Sequence, residues 1–166
     1  MLKLFLCFFI VLSLDADIIL ARLENIISNE KQKFGLDNYT FKCNLYGVLA
    51  LETLYNKSKT NSLCQKSIDA FYKKYPKKKY FTYNILKYKQ LYHIENKKTG
   101  CVIYAKGQVT LAELLLNEGL AIKKPIFKDE EFEYYYTAAQ KKAKMQKKGL
   151  WNEDIFTSCV AELYEK

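Results

Sequence analysis

The sequence predicts an α+β domain, a partly open five-stranded β-barrel with three helices packed on one side. Three observations predict it. Strand chemistry fills the region from Asp17 to Leu51 and returns after Lys79, a helical stripe separates the two regions, and the last third carries two helices with start and stop signals. With 166 residues, 49% of them apolar, the chain has the size and composition for one domain around one core.

Taken in order, Asp17 to Ile27 is rich in Ile and Leu, and Tyr39 to Val48 alternates β-formers with polar residues. Phe34, Gly35, Leu36, Asp37 and Asn38 supply the turn between them. Cys64, Ile68, Phe71 and Tyr75 recur at spacings of four, three and four, one stripe of a helix that Pro76 terminates. Lys79 to Leu86 and Tyr88 to Ile94 read as strands, and a turn from Asn96 to Gly100 leads into a third, Cys101 to Ala105. Thr110 and Glu113 form a capping-box pair for a helix from Leu111 to Glu118 that Gly119 stops. The last helix places Phe132, Tyr136, Ala139, Ala143 and Leu150 on one face, with acidic residues at its start and Lys147, Lys148 and Gly149 at its end.

The N-terminus reads as a signal peptide, residues 1–16, ahead of a single domain from 17 to 166. A lysine at position 3 precedes an apolar run from Leu4, too short for a bilayer, which needs roughly 20 residues. Extending that run into a membrane anchor through Leu20 would bury Asp15 and Asp17 at roughly 2.5 to 3.5 kcal/mol each. The expected location is therefore secreted or periplasmic, with no membrane association after cleavage. Removing residues 1–16 deletes Lys3 together with Asp15, so the net charge stays at +9. Cys43, Cys64, Cys101 and Cys159 then remain, an even set that allows three disulfide pairings in an oxidising compartment. Cys43 with Cys101, on neighbouring barrel strands, is the preferred pairing, and four free buried thiols are the plain alternative. No pair of cysteines has the short spacing of a zinc site.

Two stretches carry a resemblance. Leu114, Leu115, Asn117, Glu118, Gly119, Leu120 and Ala121, followed by Ala138, Ala139, Gln140, Lys142, Ala143 and the run Gly149 to Asp154, resemble the C-terminal half of staphylococcal-type thermonucleases. Leu45 to Glu52 is similar, without gaps, to that family's signature R-L-Y-G-I-D-A-P-E. The resemblance implies an OB-type barrel with a groove suited to a polynucleotide strand. It also implies that Trp151, the single tryptophan, packs back on the barrel.

In that family two arginines clamp the scissile phosphate, a glutamate acts as general base or positions the water, and two aspartates hold a calcium ion. A guanidinium fork matches phosphate oxygens at two points, and calcium needs several hard oxygens. Carried over to this chain, the first arginine becomes Asn44, the signature aspartate Leu49 and the proline Leu51, leaving Glu52 as the one retained catalytic position. The aspartate after the first strand falls within Asn25 to Asn29, where no aspartate stands, and the second arginine falls at Lys98 or Thr99. Arg22 is the only arginine among 27 basic residues, so no pair of arginines exists to clamp a phosphate. Glu52 is then either a vestigial catalytic carboxylate or a carboxylate that fixes the turn after its strand. His93 has no partner in the sequence for nucleophilic or metal chemistry, and no cofactor is expected, calcium entering only if the chain is an active nuclease.

Finally, lysines interleave with aromatic residues from Tyr72 to Lys89. Lys77, Lys78, Lys79, Tyr80 and Lys87, with Lys98 further on, are the candidate nucleic-acid contacts, since lysines track phosphates and tyrosine faces stack on bases. A solvated lysine face beside ordinary strand tyrosines would give the same pattern. Three functions stay open: a non-catalytic exported domain binding single-stranded nucleic acid or another acidic partner, an active secreted nuclease using Glu52, or a structural protein-interaction domain.

Overall fold

The structure, a computed structural model, describes residues 18–152 and 155–160. The expected signal segment and the tail beyond Val160 lie outside them. The fold is α+β and its ladders are antiparallel. Six strands, β1 (Ile18–Ile26), β2 (Lys31–Leu36), β3 (Tyr39–Asn44), β5 (Leu91–Lys97), β6 (Gly100–Lys106) and β7 (Val109–Thr110), form one sheet in the order β3-β2-β1-β5-β6-β7. A separate ribbon pairs β4 (Val48–Ala50) with β8 (Ala121–Lys123). The helices are α1 (Leu51–Lys57), α2 (Leu63–Lys74), α3 (Pro76–Lys79), α4 (Phe81–Ile85), α5 (Leu111–Asn117) and α6 (Glu130–Met145).

Among the described residues, the expected barrel of five strands with three helices is thus a six-stranded sheet plus a ribbon with six α-helices, several of them a single turn or two, and no continuous ladder closes the sheet. Its edge strand β3 and the next-to-edge strand β6 meet at one point, where Leu45 bridges Cys101, the Tyr46 amide donates to the Cys101 carbonyl at 3.0 Å, and a disulfide joins Cys43 to Cys101 with Cα atoms 5.7 Å apart. A second disulfide, Cys64–Cys159, ties α2 to the π-helical turn Phe156–Val160, with Cα atoms 4.6 Å apart.

Alternation along β1 and β2 points Ala21, Leu23 and Phe34 into the core. There they join Ile94 and Ile103 of the sheet, Leu51 and Leu54 of α1, Leu111 and Leu115 of α5, and Phe132 and Tyr136 of α6 in one contiguous cluster. The Thr110–Glu113 capping box forms in full, Glu113 N–H donating to Thr110 Oγ1 at 3.1 Å and Thr110 N–H to Glu113 Oε2 at 2.8 Å. Asp129 caps α6 by accepting from the Glu131 and Phe132 amides.

Four local readings are corrected. Phe34, Gly35 and Leu36 belong to β2 and only Asp37 and Asn38 turn, because Phe34 is fully buried and Gly35 leaves the space that the Glu24 side chain fills. Lys79 to Leu86 is helical, not a strand, since both edges of β1 are already paired with β2 and β5. Helix α1, which follows β4 without a break, was not expected. Leu150 lies beyond α6 in a 3-10 turn, Gly149–Trp151, and reaches the core because Lys147 and Gly149 reverse the chain at φ 49° and 50°. Trp151 is half-buried at the rim of the core, its ring 5.1 Å from that of Phe156. Among the described residues no helix is long and apolar enough to cross a membrane.

Candidate functional site

Glu52 enters the structure as the second residue of α1, facing the turn that joins β1 to β2. That turn is built by Ser28, whose hydroxyl accepts from the amides of Glu30 and Lys31 while its own N–H donates to the Lys31 carbonyl. It delivers Asn29 and Glu30, both buried, to the mouth of α1.

Asn29 organises the cluster. Its side-chain amide donates to Glu52 Oε1 at 2.7 Å and to the carbonyls of Lys78 and Lys79 at 3.2 and 3.3 Å. Its Oδ1 accepts from the Thr82 amide at 2.9 Å, and the Thr82 hydroxyl donates back to the Asn29 carbonyl. The Tyr72 hydroxyl, from α2, donates to the same Glu52 oxygen at 3.2 Å. Glu30 accepts from the Ala50 amide at 3.1 Å and from the Thr53 hydroxyl, fixing the start of α1. Glu52 Oε2 is buried with no hydrogen-bond partner.

Burial pushes the Glu52 carboxyl above the usual carboxylate range, and the charge of Glu30 adds to the rise. Hydrogen bonds from its own backbone amide, Asn29 and Tyr72 only partly offset it. The Tyr72 hydroxyl is raised as well, by burial and by Glu52 beside it, so it stays a donor.

The other positions that the resemblance points to contribute no side chain to the hydrogen bonds of this cluster. Asn44 is exposed at the end of β3 and Leu49 is half-buried in β4. The turn carrying Lys98 and Thr99 joins β5 to β6, and Gly100 packs so closely on the Asn44 carbonyl that a Cβ there would sit 2.6 Å from it. The end of β3 and the start of β6 are thus in contact at Asn44 and Gly100. Arg22 pairs with Glu24 at 2.7 Å along β1.

The residues present do not fit a calcium ion. Calcium takes about six to eight oxygens, whereas Glu30 and Glu52 are the only carboxylates in this cluster, Glu30 Oε2 and Glu52 Oε1 already accept from protein donors, and no group of three or more His, Cys, Asp or Glu among the described residues could hold a metal. His93 is exposed in β5.

Of the candidate nucleic-acid contacts, Lys77, Lys79, Tyr80 and Lys87 are exposed on α3, after it and after α4. Lys78 turns away, pairing with Glu118, which a second lysine, Lys148, holds at 3.0 Å. Lys98 is exposed in the β5–β6 turn rather than on the α3–α4 segment. Asn29, Glu30, Tyr72 and Thr82 were missed by sequence reasoning. Asn29 and Glu30 sit in the polar run from Ser28 to Lys33 that follows Ile26 and Ile27, which was a turn signal, while Tyr72 and Thr82 left no local sign of this role.

No curated protein matches the chain. The family comparison does match, over residues 22–153, from β1 through α6 to the turn after Trp151. This stretch includes the Leu45–Glu52 signature, the Asn29–Glu52 cluster and the Gly119 and Gly149 turns, and on it the chain belongs to the staphylococcal nuclease homologue family.

Proposed function

We propose that this protein is an exported member of that family which does not hydrolyse phosphodiesters, and which holds single-stranded nucleic acid on its lysine- and tyrosine-rich surface. The observation that carries the first part is the state of Glu52. The one retained catalytic carboxylate is bonded to Asn29 and Tyr72, and no guanidinium stands at either clamp position. Lysine supplies charge but not a planar two-point grip, and loss of a single transition-state donor costs roughly 10²- to 10³-fold in turnover.

The second part is supported by Lys77, Lys79 and Lys87 standing exposed beside Tyr75, Tyr80, Tyr83 and Tyr88, on a chain of net charge +9. We read the sheet, with β3 joined to β6 at Cys43–Cys101, as a partly open OB-type barrel. The two disulfides support export, since such bonds persist in oxidising compartments.

A nuclease assay with and without calcium, run beside a salt titration of oligothymidylate binding, tests both parts. The expected outcome is no calcium-dependent cleavage above background, with binding that weakens steeply with salt. Lys77→Ala with Lys79→Ala should flatten the slope of log affinity against log salt by up to about 1.4, at about 0.7 per phosphate contact. Calcium-stimulated cleavage that vanishes in Glu52→Ala overturns the first part. Undetectable binding at low salt overturns the second.

A further inference from the structure

The ladder of β1 with β5 ends at Arg22 opposite Leu91, and Leu23 bonds the turn that precedes β5 instead. At the same place β1 carries a bulge, with Leu23 opposite Phe34 and Asn25 opposite Lys33, so that Glu24 is the extra residue. The chain reaches β5 through α4 and a tight turn from Lys87 to Gln90. Between them and β1 lies a cleft of about 310 Å³. Leu23 and Leu86, both fully buried, lie at its base with Ile26, while Tyr83 and Tyr88, each 59% exposed, stand at its sides.

The wall carrying Tyr88 is fixed in place. The Lys87 amide donates to the Tyr92 hydroxyl at 2.6 Å, the Lys89 amide to the Leu23 carbonyl at 2.9 Å, and the Leu23 amide to the Gln90 carbonyl at 2.9 Å. Lys89 adopts φ +63°, a left-handed conformation that a non-glycine residue takes at a cost, and the cross-bonds to β1 hold it there. The result is an exposed tyrosine on a turn with little freedom left to lose on binding, which favours affinity.

The chemistry of the cleft selects its occupant. Its volume lies at the low end of the roughly 300–1,000 Å³ typical of small-ligand pockets, room for one planar ring system. The tyrosine faces offer stacking, and Asn25 at the bulge offers an amide that both donates and accepts. Lys87 is the one charged residue lining it, and the Lys89 ammonium sits 5.4 Å from the centre of the Tyr88 ring. An aromatic ring attached to an anion matches that set. We propose that this cleft is a base-binding subsite for single-stranded nucleic acid, one base seated against Tyr83 and Tyr88 with its phosphate toward Lys87. The proposal rests on the nucleic-acid reading above and places the contact between β1 and the segment Tyr83 to Tyr88, in a cleft that shares no lining residue with the Glu52 cluster.

The test uses the mature protein, labelled octathymidylate and thymidine monophosphate. Tyr83→Ala with Tyr88→Ala should weaken octathymidylate binding about 5-fold or more, the loss of one stacked base, with the salt slope unchanged. The Tyr→Phe pair should bind as the wild type does, and Lys87→Ala should flatten the slope by about 0.7. In the unsubstituted protein, thymidine monophosphate should shift the amide resonances of Asn25, Tyr83 and Tyr88 most, a readout independent of whether the variants fold. Wild-type binding that the alanine pair leaves intact, or polyglutamate binding as tightly as the oligonucleotide, overturns the subsite while leaving a charge-driven surface. No binding by the wild type at low salt overturns the nucleic-acid reading and the subsite together.

Discussion

Asn29 and Glu52 are 23 residues apart in sequence, and a 2.7 Å hydrogen bond from the Asn29 amide to Glu52 Oε1 joins the first turn of the sheet to the first helix. The same amide reaches the Lys78 and Lys79 carbonyls, and the Asn29 Oδ1 receives the Thr82 N–H. One side chain thus satisfies groups from α1 and from the α3–α4 segment at once. Because Asn29 is 2% exposed, water cannot replace it.

Asn29→Ala should therefore cost about 3 kcal/mol, from a buried carboxylate and a buried amide left without this partner. Urea denaturation followed by circular dichroism reads the loss. A change below about 0.5 kcal/mol would mean that the cluster rearranges around the gap.

Two carboxylates should respond to pH in opposite directions. Burial raises Glu52, so the folded protein keeps that proton to higher pH than the unfolded chain does. The stability this provides is complete below the unfolded carboxylate range and is lost as pH rises through the folded value. Glu52→Gln, which keeps an acceptor for Asn29 and Tyr72, should raise the urea midpoint at pH 7.5, and its advantage should shrink toward pH 4. Burial also acts to raise Glu118, but hydrogen bonds and charge from Lys78 and Lys148 outweigh it and leave its carboxyl lowered. Its contribution is present above the unfolded range and lost as pH falls, so Glu118→Gln should lower the midpoint at pH 7.5 and converge with wild type in acid.

Gly119 and Gly149 meet backbone to backbone, with the Leu150 amide donating to the Gly119 carbonyl at 2.7 Å. A Cβ on Gly149 would lie 2.2 Å from that carbonyl oxygen, in a residue at φ +50°. Gly149→Ala should cost about 2 kcal/mol or more, combining backbone strain with the clash. Gly107→Ala is the control, because Gly107 also has positive φ (+59°) but nothing within 4 Å of its Cβ position. Thermal melts of the two variants should separate strain from contact, the Gly149 variant melting lower.

Alkylation of the mature protein without reductant should leave Cys43, Cys64, Cys101 and Cys159 unmodified by mass. Replacing Cys64 and Cys159 by serine should lower stability by about 2 to 5 kcal/mol. That bond closes a separation of 95 residues and anchors the C-terminal turn to α2. A variant that melts with the wild type would show that the packing of Ile155 already holds the turn.

The sequence by itself determined the elements whose signals are local. The Thr110–Glu113 box, the apolar stripe of α2, the strand chemistry of β1 and β6 and the stop at Gly119 each rest on residues a few positions apart, where spacing alone fixes which groups can meet. The single arginine was also legible as a plain count. Tertiary structure decided the rest. Tyrosine and threonine favour strands, yet Phe81–Ile85 is helical, because β1 had no free edge and Asn29 supplied bonds to Lys78, Lys79 and Thr82 from about 50 residues away. Lys78 looked like its neighbours and became the partner of Glu118, 40 residues on. Glu52 could be named from its motif, but its surroundings could not, since Asn29 and Tyr72 approach it from opposite directions along the chain and only folding brings them within hydrogen-bond distance.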